Sequence, residues 1–294
     1  MLANLAATLA PRHGYNQTAL SSVRILRNET ILQNVPVLYQ PGAVFVLQGS
    51  KQGILDDKVY LYDEDHYLAV SVPVPFRMES AASPMRPLIA IYLEFDMQMA
   101  GDIALTLEEH LGLAGGRPKS LVSSTMTADI EDVLLRLLNA LGSPADVAIL
   151  GDSILRELHY RILTGPQGGA MMAALRQRGA AGRLIQSLGW LRANFAGEIT
   201  VEALAKSVCM SVPTYHVHFK ELTGSSPMQY VKAMRLHEAR LMIARRGKTI
   251  SEVSIAVGYA SAAQFSHDFK RHFGRTASEE AKWMRHHLGE QHAE

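Results

Sequence analysis

One short pattern occurs twice in the C-terminal part of this 294-residue chain, and it limits the folds that this part can adopt. Residues 219–224 read Phe-Lys-x-x-x-Gly, and residues 269–274 repeat that pattern. A serine lies at the same distance before each copy, Ser211 before the first and Ser261 before the second, and an apolar segment precedes each serine. An internal repeat of this size indicates one supersecondary unit that is used twice.

Each copy has the pattern of a helix-turn-helix unit, with a short helix, a tight turn and a second helix. We place the two units at about 199–220 and 249–270. Ser211 and Ser261 fit the N-cap of each second helix. Gln264 follows Ser261 at the spacing of a capping box. The Gln264 side chain therefore has two alternative roles, as part of the cap or as a contact to DNA.

The second helix of each unit carries an aromatic pair at i, i+4 spacing. Tyr215 and Phe219 are predicted to pack inward in the first unit, and Phe265 and Phe269 do the same in the second. The other residues of these helices then face outward, and such a face lies in the major groove of DNA. The predicted DNA contacts are Pro213, Thr214, His216, Val217 and Lys220 in the first unit, and Ala262, Ala263, Gln264, His267 and Lys270 in the second.

The type of each side chain predicts what it contacts. Lysine neutralises phosphates and sets affinity, so Lys220 and Lys270 are predicted to contact the DNA backbone. Imidazole and amide groups hydrogen-bond base edges, whereas small apolar side chains contact thymine methyl groups. We therefore assign base-edge bonds to His216, Gln264 and His267, and methyl contacts to Val217 and Ala263.

The segment between the two units predicts one long helix. Ser226 and Gln229 have the spacing of a capping box, and Pro227 stands at the first helical position. No helix breaker follows until Gly247. About twenty residues of helix span roughly 30 Å, which is close to the B-DNA repeat of about 34 Å. One rigid helix can therefore hold two recognition helices over successive turns of one groove.

Residues 183–284 closely resemble the DNA-binding domain of the AraC/XylS family. The resemblance rests on both helix-turn-helix units, on segment 235–240 of the connecting helix and on both Phe-Lys-x-x-x-Gly turns. It implies a DNA-binding domain at 183–294, after a linker at 166–182. It also implies a sequence-specific transcription regulator, such as an activator, that acts in the cytoplasm as a homodimer on double-stranded promoter DNA, with RNA polymerase as a further partner.

This sequence departs from the family pattern at three positions. The family usually has alanine where Ser254 stands and proline where Ala277 stands, and both changes should affect only packing and capping. Thr276 and Glu279 still have the spacing of a capping box after that proline is lost. Many members carry arginine where His267 stands, so the base that this position prefers should differ from theirs.

The N-terminal part has a different character. Between residues 23 and 95, short runs of Val, Ile, Tyr and Phe alternate with turns, which predicts a β-sandwich or barrel. Gly49-Ser50 and Asp56-Asp57 are predicted hairpin turns. We therefore expect an α+β multidomain chain, in which a β-barrel with a helical pair precedes an all-α domain of two helix-turn-helix units joined by a long helix.

Segments 39–41, 45–51 and 63–68 are similar to the cupin-like sensor domain found in a subset of AraC-type regulators. That resemblance implies a sensing and dimerisation domain at 1–165, with a small-molecule effector bound inside the barrel. Alternation along the strands lets several large side chains point inward. The candidate effector contacts are Tyr39, Phe45, Leu47, Tyr60, Tyr62 and Tyr92. Their alternative role is simply to fill the barrel, as side chains do in small barrels.

Residues 127–163 change to helical periodicity. Two apolar stripes occur here, one at Ile130, Val133, Leu134, Leu137, Leu138 and Leu141, and the other at Ile154, Leu155, Leu158 and Ile162. The stripes are wider than one contact face needs, so we predict a homodimer through this helical pair, with substitutions at Leu134, Leu137 and Leu138 disrupting it. The alternative is that both stripes are domain core.

Charge and cysteine content agree with a regulator of this kind. The part from Arg183 onward has an excess of basic residues, while the part before it has an excess of acidic ones. The single cysteine, Cys209, excludes a disulfide framework within the chain and fits a reducing cytosol. We expect it to be a small buried residue in the turn of the first helix-turn-helix unit.

Other classes of function have weaker support. No run of about 18 apolar residues predicts a membrane span, and the N-terminus lacks the cationic start of a secretory signal. The strand region contains only His66 as a histidine, so neither a metal site, nor a catalytic residue, nor a cofactor is predicted, and the chain is not expected to be an enzyme. Two alternatives remain: an enzyme that uses the barrel as its active site, and an architectural DNA binder without sequence preference.

Overall fold

The structure is a computed structural model that describes residues 1–111, 118–175, 179–245 and 248–288. Two compact units divide the chain. The first contains Met1–Gln33, Tyr39–Pro73 and the described part of Met78–Arg176. The second contains Asn34–Leu38, Val74–Arg77 and the described part of Gln177–Glu294.

The strands form two sheets in the N-terminal half of the chain. They are β1 (Gly14–Gln17), β2 (Val23–Asn28), β3 (Leu32–Leu38), β4 (Gly42–Gln48), β5 (Ser50–Leu55), β6 (Lys58–Asp63), β7 (His66–Val70), β8 (Pro75–Ala81), β9 (Leu88–Glu94) and β10 (Leu121–Thr125). Within the described residues, one sheet has the order β1-β2-β9-β4-β7-β10 and the other has the order β3-β8-β5-β6. The predicted β-rich N-terminal domain is therefore confirmed.

The two predicted hairpin turns have different outcomes. Asp56 and Asp57 both have positive φ, at 48° and 62°, and join the antiparallel strands β5 and β6, so this hairpin is confirmed. Gly49 also has a positive φ, at 90°. However, β4 pairs with β7 and β9, whereas β5 pairs with β6. The Gly49-Ser50 hairpin was a wrong prediction, because the chain passes there from one sheet to the other.

Helices cover one side of the larger sheet. They are α1 (Leu2–Leu9), α2 (Met97–Leu111), α3 (Ala128–Ala140), α4 (Pro144–Thr164) and α5 (Gly168–Leu175). Thr127 caps α3 by accepting the Ile130 amide at 3.4 Å, and Ser143 caps α4 by accepting the Asp146 amide at 3.3 Å. Neither α2 nor β10 was predicted, although the buried residues Ala100, Ile103, Ala104 and Leu107 of α2 have helical spacing.

The apolar stripes of α3 and α4 are domain core. Leu134 and Leu137 are fully buried, and Leu138 is 2% exposed. Together with Ile154 and Leu158 they belong to the cluster that also takes in strands β2, β4 and β9. The interpretation of the stripes as core is therefore confirmed, and the prediction that these leucines contact a second copy was wrong.

The second unit is mainly helical in its described residues between 179 and 288. Its helices are α6 (Gly179–Asn194), α7 (Val201–Ser207), α8 (Val212–Thr223), α9 (Pro227–Ala244), α10 (Ile250–Ala256), α11 (Ala262–Phe273) and α12 (Ala277–Leu288). The capping box of Thr276 and Glu279 precedes α12 as predicted, with the Thr276 amide 2.8 Å from Glu279 Oε2. Helices α5 and α6 occupy much of the segment predicted as a linker. Within the described ranges, no helix combines the length and apolarity needed to cross a membrane.

The turns after α7 and α10 have the same geometry. Each helix has a valine as its C-cap residue, and the next residue has a left-handed backbone: Cys209 at φ 54° and Gly258 at φ 84°. A Cβ on Gly258 would lie 2.4 Å from the Ala196 carbonyl oxygen, so only glycine fits there. Cys209 is exposed, so the prediction that it is buried was wrong.

Candidate nucleic-acid interface

The two recognition helices, α8 and α11, begin and end in the same way. Ser211 Oγ accepts the Thr214 amide and Ser261 Oγ accepts the Gln264 amide, both at 3.3 Å. Both helices end at a glycine with left-handed φ, 71° at Gly224 and 74° at Gly274. These caps confirm both predicted N-caps, and they fix which residues each helix presents.

The aromatic pairs are buried as predicted. Tyr215 and Phe219 in α8, and Phe265 and Phe269 in α11, are each 0% exposed. The ring centres are 5.4 Å apart within each pair. Because the pairs fix the inner face of both helices, the opposite face of each helix is presented to solvent.

The structure places the ten predicted DNA-contact residues on that opposite face. His216 is half-buried. Val217 is 57% exposed and the His267 side chain is 69% exposed. The others are exposed: Pro213, Thr214, Lys220, Ala262, Ala263, Gln264 and Lys270. The position of this exposed valine on a recognition helix fits contact with a thymine methyl group.

Helix α9 connects the two recognition helices. The Ser226 amide donates to Gln229 Oε1 at 3.2 Å, which confirms the predicted start of the helix. Its 18 residues span about 27 Å. Tyr230 packs edge-on against Phe219 of α8, with ring centres 5.4 Å apart. Leu236 and further apolar residues of α9 pack into the same core as the aromatic pair of α11.

Arg235 of α9 ties three segments together, and sequence reasoning did not single it out. Its guanidinium donates to the carbonyl oxygens of Phe195 and Gly197 at 2.7 Å each, and to that of Gly258 at 3.1 Å. These carbonyls belong to the loop before α7 and to the turn after α10. The same side chain therefore holds parts of both helix-turn-helix units.

Gln264 does not complete the predicted capping box. Its side-chain Nε2 donates to Asp268 Oδ2 at 3.1 Å, instead of its Oε1 turning back to the amide of Ser261. Asp268 is 3% exposed and also accepts from Lys232 Nζ of α9 at 2.6 Å. The capping-box part of the prediction was wrong, because a buried carboxylate one helical turn away is the stronger acceptor.

A second candidate site lies in the first unit, around Lys51 of β5. Lys51 is 2% exposed. Its Nζ donates to the hydroxyl of Tyr92 at 2.6 Å and to that of Tyr39 at 3.2 Å. The same nitrogen lies 5.7 Å from the centre of the Tyr62 ring. We call these four residues the Lys51 cluster.

The Lys51 cluster contains an ammonium group without a counter-charge. Burial lowers the pKa of Lys51 to about 7, and no carboxylate among the described residues opposes that shift. Burial also raises the pKa of Tyr92 well above its usual value. The Tyr92 hydroxyl therefore stays protonated at neutral pH and supplies no negative charge.

The other predicted effector contacts lie outside the cluster. In the register of β4 with β9, Phe45 pairs with Ile91 and Val44 with Tyr92, so Phe45 and Tyr92 point to opposite faces of the sheet. Phe45 is fully buried in the helix-side core, and Leu47 packs partly against that core. Tyr60 is half-buried on β6. In the described part of the chain, no group of three or more His, Cys, Asp or Glu side chains could hold a metal ion.

Sequence reasoning missed Lys51 and Asp268, although both have a signal. Lys51 lies on the same side of β5 as Gly53 and Leu55, and these three positions form the buried face of the strand. Asp268 lies three residues after Phe265, one turn along the buried side of α11. A charged residue on the apolar register of an element is the pattern that would have identified each of them.

Two family models match this chain. A model described as the AraC-type transcriptional regulator N-terminus matches residues 19–170, and a model described as a helix-turn-helix domain matches residues 204–282. The first match alone covers more than half of the chain. The second contains both recognition helices.

Curated relatives match about a third of the chain. The HTH-type transcriptional activator RhaS of Citrobacter koseri is 32% identical over 91 residues, which is 31% of this chain and 33% of RhaS. The RhaS of Escherichia fergusonii is 32% identical over 92 residues, again 31% of this chain and 33% of the relative. The chain therefore spans about a third of the length of these curated relatives.

Solved structures of ToxT from Vibrio cholerae resemble the fold. Wild-type ToxT with bound unsaturated fatty acid has a TM-score of 0.64 and 12% identity, over 92% of this chain and 97% of ToxT. ToxT from strain O395 has a TM-score of 0.56 and 12% identity, over 90% of this chain and 98% of ToxT. At this level of identity the likeness concerns the fold.

Substitution at Lys270 and His267 should separate phosphate contacts from base contacts. Lys270→Ala should weaken binding to all sequences alike and reduce the salt slope by about one, because a phosphate contact carries no base information. His267→Ala should cost about 1–3 kcal/mol on the cognate site and little on random DNA. His267→Arg should shift the preference toward guanine.

The measurement is equilibrium binding to single-base variants of one bound sequence at several salt concentrations. The contrast between Lys270→Ala and His267→Ala serves as the internal control. If His267→Ala lowers the affinity for every variant by the same factor, His267 is not a base contact, and direct readout must come from His216 and Val217 or from DNA shape.

Proposed function

The chain belongs to the AraC-type transcriptional regulators, and on that premise we propose that it is a sequence-specific DNA-binding regulator controlled by a small-molecule effector. The observation that carries the proposal is the pair of matched recognition helices, α8 and α11, held by the single helix α9. The proposed partners are double-stranded promoter DNA and RNA polymerase, and the proposed site of action is the cytoplasm.

The proposed contact with DNA divides by side-chain chemistry. Lys220 and Lys270, near the ends of their helices, neutralise phosphates on either side of the groove. His216, Val217 and His267 face the base edges. The length of α9, about 27 Å, is of the same order as the B-DNA repeat of about 34 Å.

DNA binding should reside in residues 170–294. A fragment of residues 170–294, shown to be folded by circular dichroism, should shift the same promoter fragments as the full chain, because both recognition helices and α9 lie within it. The measurement is an electrophoretic mobility shift with the full chain and the fragment side by side. A folded fragment that shifts none of the DNA bound by the full chain would contradict the proposal.

For the effector, we propose an organic molecule with an acidic group that binds at the Lys51 cluster. A buried ammonium without a counter-charge is unfavourable, and a carboxylate would supply the missing charge together with a strong hydrogen-bond acceptor. Tyr39 is the half-buried member of the cluster. The apolar rings of Tyr62 and Tyr92 suit the carbon skeleton of such a ligand. ToxT, whose fold this chain resembles, has been solved with a bound unsaturated fatty acid, which is a ligand of this class.

Carboxylic acids should stabilise the protein through Lys51. In a thermal-shift panel of fatty acids and aromatic acids with their matched alcohols, the acids should raise the Tm. A ligand at a hundred times its Kd stabilises by about 2.7 kcal/mol. Lys51→Met should abolish the response. Affinity should fall as pH rises above about 7, because the neutral amine offers no charge.

The Lys51 ammonium also predicts a pH dependence without ligand. Its folded pKa of about 7 lies below the ordinary value of 10.5, so the unfolded chain binds more protons between these values. Stability should therefore rise with pH across this window relative to Lys51→Met.

In the ligand panel, equal responses to the acids and to the alcohols would contradict the proposed site. A Lys51→Met variant that still responds to the acids would contradict it as well.

The proposed homodimer uses the outer face of α4. The apolar stripes of α3 and α4 are buried in the domain core and are not accessible to a second copy. Ile149 is 78% exposed and Leu150 is 47% exposed. Tyr160 and Ser153 continue the same side of the helix and border a groove of about 370 Å³ next to Leu107 of α2. Such a run of exposed apolar surface is typical of an interface. The expected occupant is a second copy.

Charge on that face should separate the two copies. Ile149→Glu combined with Leu150→Glu should convert a dimer to a monomer at micromolar concentration, because burying unpaired carboxylates is unfavourable. Light scattering measures the mass. Val59→Glu, at an exposed apolar residue of β6, is the matched control and should leave the dimer intact. A monomeric wild-type chain, or a double variant that remains dimeric, would contradict this interface.

A further inference from the structure

Asp268 holds side chains of two helices from a buried position. Besides Lys232 and Gln264, it accepts from the Arg271 guanidinium at 3.3 Å, and the Tyr259 hydroxyl lies 3.5 Å from Oδ2. His267 Nδ1 lies 3.7 Å from Oδ1. Lys232 belongs to α9, whereas Gln264 and Arg271 lie one turn to either side of Asp268 on α11. The first recognition helix has no such centre, because His218 stands at the corresponding place in the repeat.

The Asp268 carboxylate is ionised. Burial acts to raise its pKa, but the hydrogen bonds from Lys232 and Gln264, with the charges of Lys232 and Arg271, outweigh burial and leave the pKa below its ordinary value. An ionised carboxylate can only accept hydrogen bonds. Its partners must therefore turn donor groups toward it, and this requirement has different consequences for the amide and for the two cations.

For Gln264 the carboxylate decides which end of the amide faces it. A free amide can rotate so that either its NH₂ or its oxygen faces the DNA, and the two orientations read opposite patterns. With Nε2 bound to Asp268, the oxygen is the end turned away from the carboxylate. On the exposed face of α11 that oxygen is an acceptor for a base-edge donor, such as adenine N6 or cytosine N4.

For the cations the carboxylate limits contact with phosphates. The Lys232 side chain is 35% exposed and that of Arg271 is 65% exposed, so both are accessible from solvent near the recognition helix. While Asp268 holds them, their charge is partly neutralised and they are directed inward. Released, each could add a phosphate contact, which strengthens binding to all sequences equally.

We propose that Asp268 is a positioning residue that sets the base specificity of the second recognition helix, by fixing the Gln264 amide with its oxygen toward the major groove and by holding Lys232 and Arg271 from the DNA backbone. Both effects act in the same direction, because one improves discrimination between bases and the other lowers sequence-independent affinity. This inference rests on the proposed DNA-binding function.

Asp268→Asn is the direct test, because asparagine has the same shape but can both donate and accept, so either orientation of Gln264 is satisfied. The probes are duplexes that the full-length wild-type chain selects from a random library, their single-base variants and an unselected duplex. Discrimination at one base pair should fall about tenfold. Affinity for the unselected duplex should rise, with a salt slope steeper by about one.

Gln264→Ala should lose discrimination at the same base pair as Asp268→Asn while leaving affinity for unselected DNA unchanged. In the double variant the loss of discrimination should not add, whereas the gain in unselected binding should persist. Glu221→Gln on α8 is the matched control: it removes the same charge from the other recognition helix, where Glu221 Oε2 lies 3.2 Å from His218 Nδ1. It should leave discrimination unchanged at every base pair.

The outcomes separate the alternatives. If Asp268→Asn lowers selected and unselected affinity by the same factor, Asp268 has a structural role only and the proposal is overturned. If Asp268→Asn does not fold, Gln264→Ala is the deciding variant. A Gln264→Ala variant that keeps full discrimination at every base pair would also overturn the proposal. A wild-type chain that selects no sequence refutes the proposed function itself, and the inference falls with it.

Discussion

The packing of two recognition helices onto one helix is the constraint on which the second unit depends. Tyr230 near the start of α9 meets Phe219 of α8, and Leu236 further along shares a core with Phe265 of α11. Arg235 lies between these contacts and bonds to three carbonyls from both sides. A rotation of either recognition helix about its own axis would expose a buried aromatic ring. The spacing and the phase of the two exposed faces are therefore fixed together.

Within this shared frame the two recognition helices differ in chemistry. Helix α8 presents His216 and Val217 without a buried charge beneath them, so its contacts depend on shape and on an imidazole. Helix α11 has the Asp268 carboxylate under its exposed face, and Lys232 links that carboxylate to α9. The repeat therefore supplies the same scaffold for both helices. Where the first copy has His218, the second has Asp268, and the contacts of Asp268 orient the side chains around it on α11.

The sequence predicts most where local rules dominate. The N-caps Ser211 and Ser261, the buried aromatic pairs and α9 follow from short-range spacing, and all were found as predicted. It predicts least where strand pairing decides the outcome. Gly49 has the composition of a hairpin turn, but long-range pairing sends β4 and β5 into different sheets. Phe45 and Tyr92 both suit a barrel lumen, yet the register turns them to opposite faces. Lys51 and Asp268 were missed for a different reason. Each is a charged residue on the buried register of its own element, where an apolar residue is expected.

The central claim is that α9 presents α8 and α11 to successive major-groove segments on one face of the duplex. Methylation-protection footprinting of the full-length chain on a selected duplex tests it most directly. The account predicts two protected major-groove patches with centres about 10 base pairs apart on the same face. His216→Ala should weaken only one patch and His267→Ala only the other. A single protected patch, or two patches on opposite faces of the duplex, would contradict the claim.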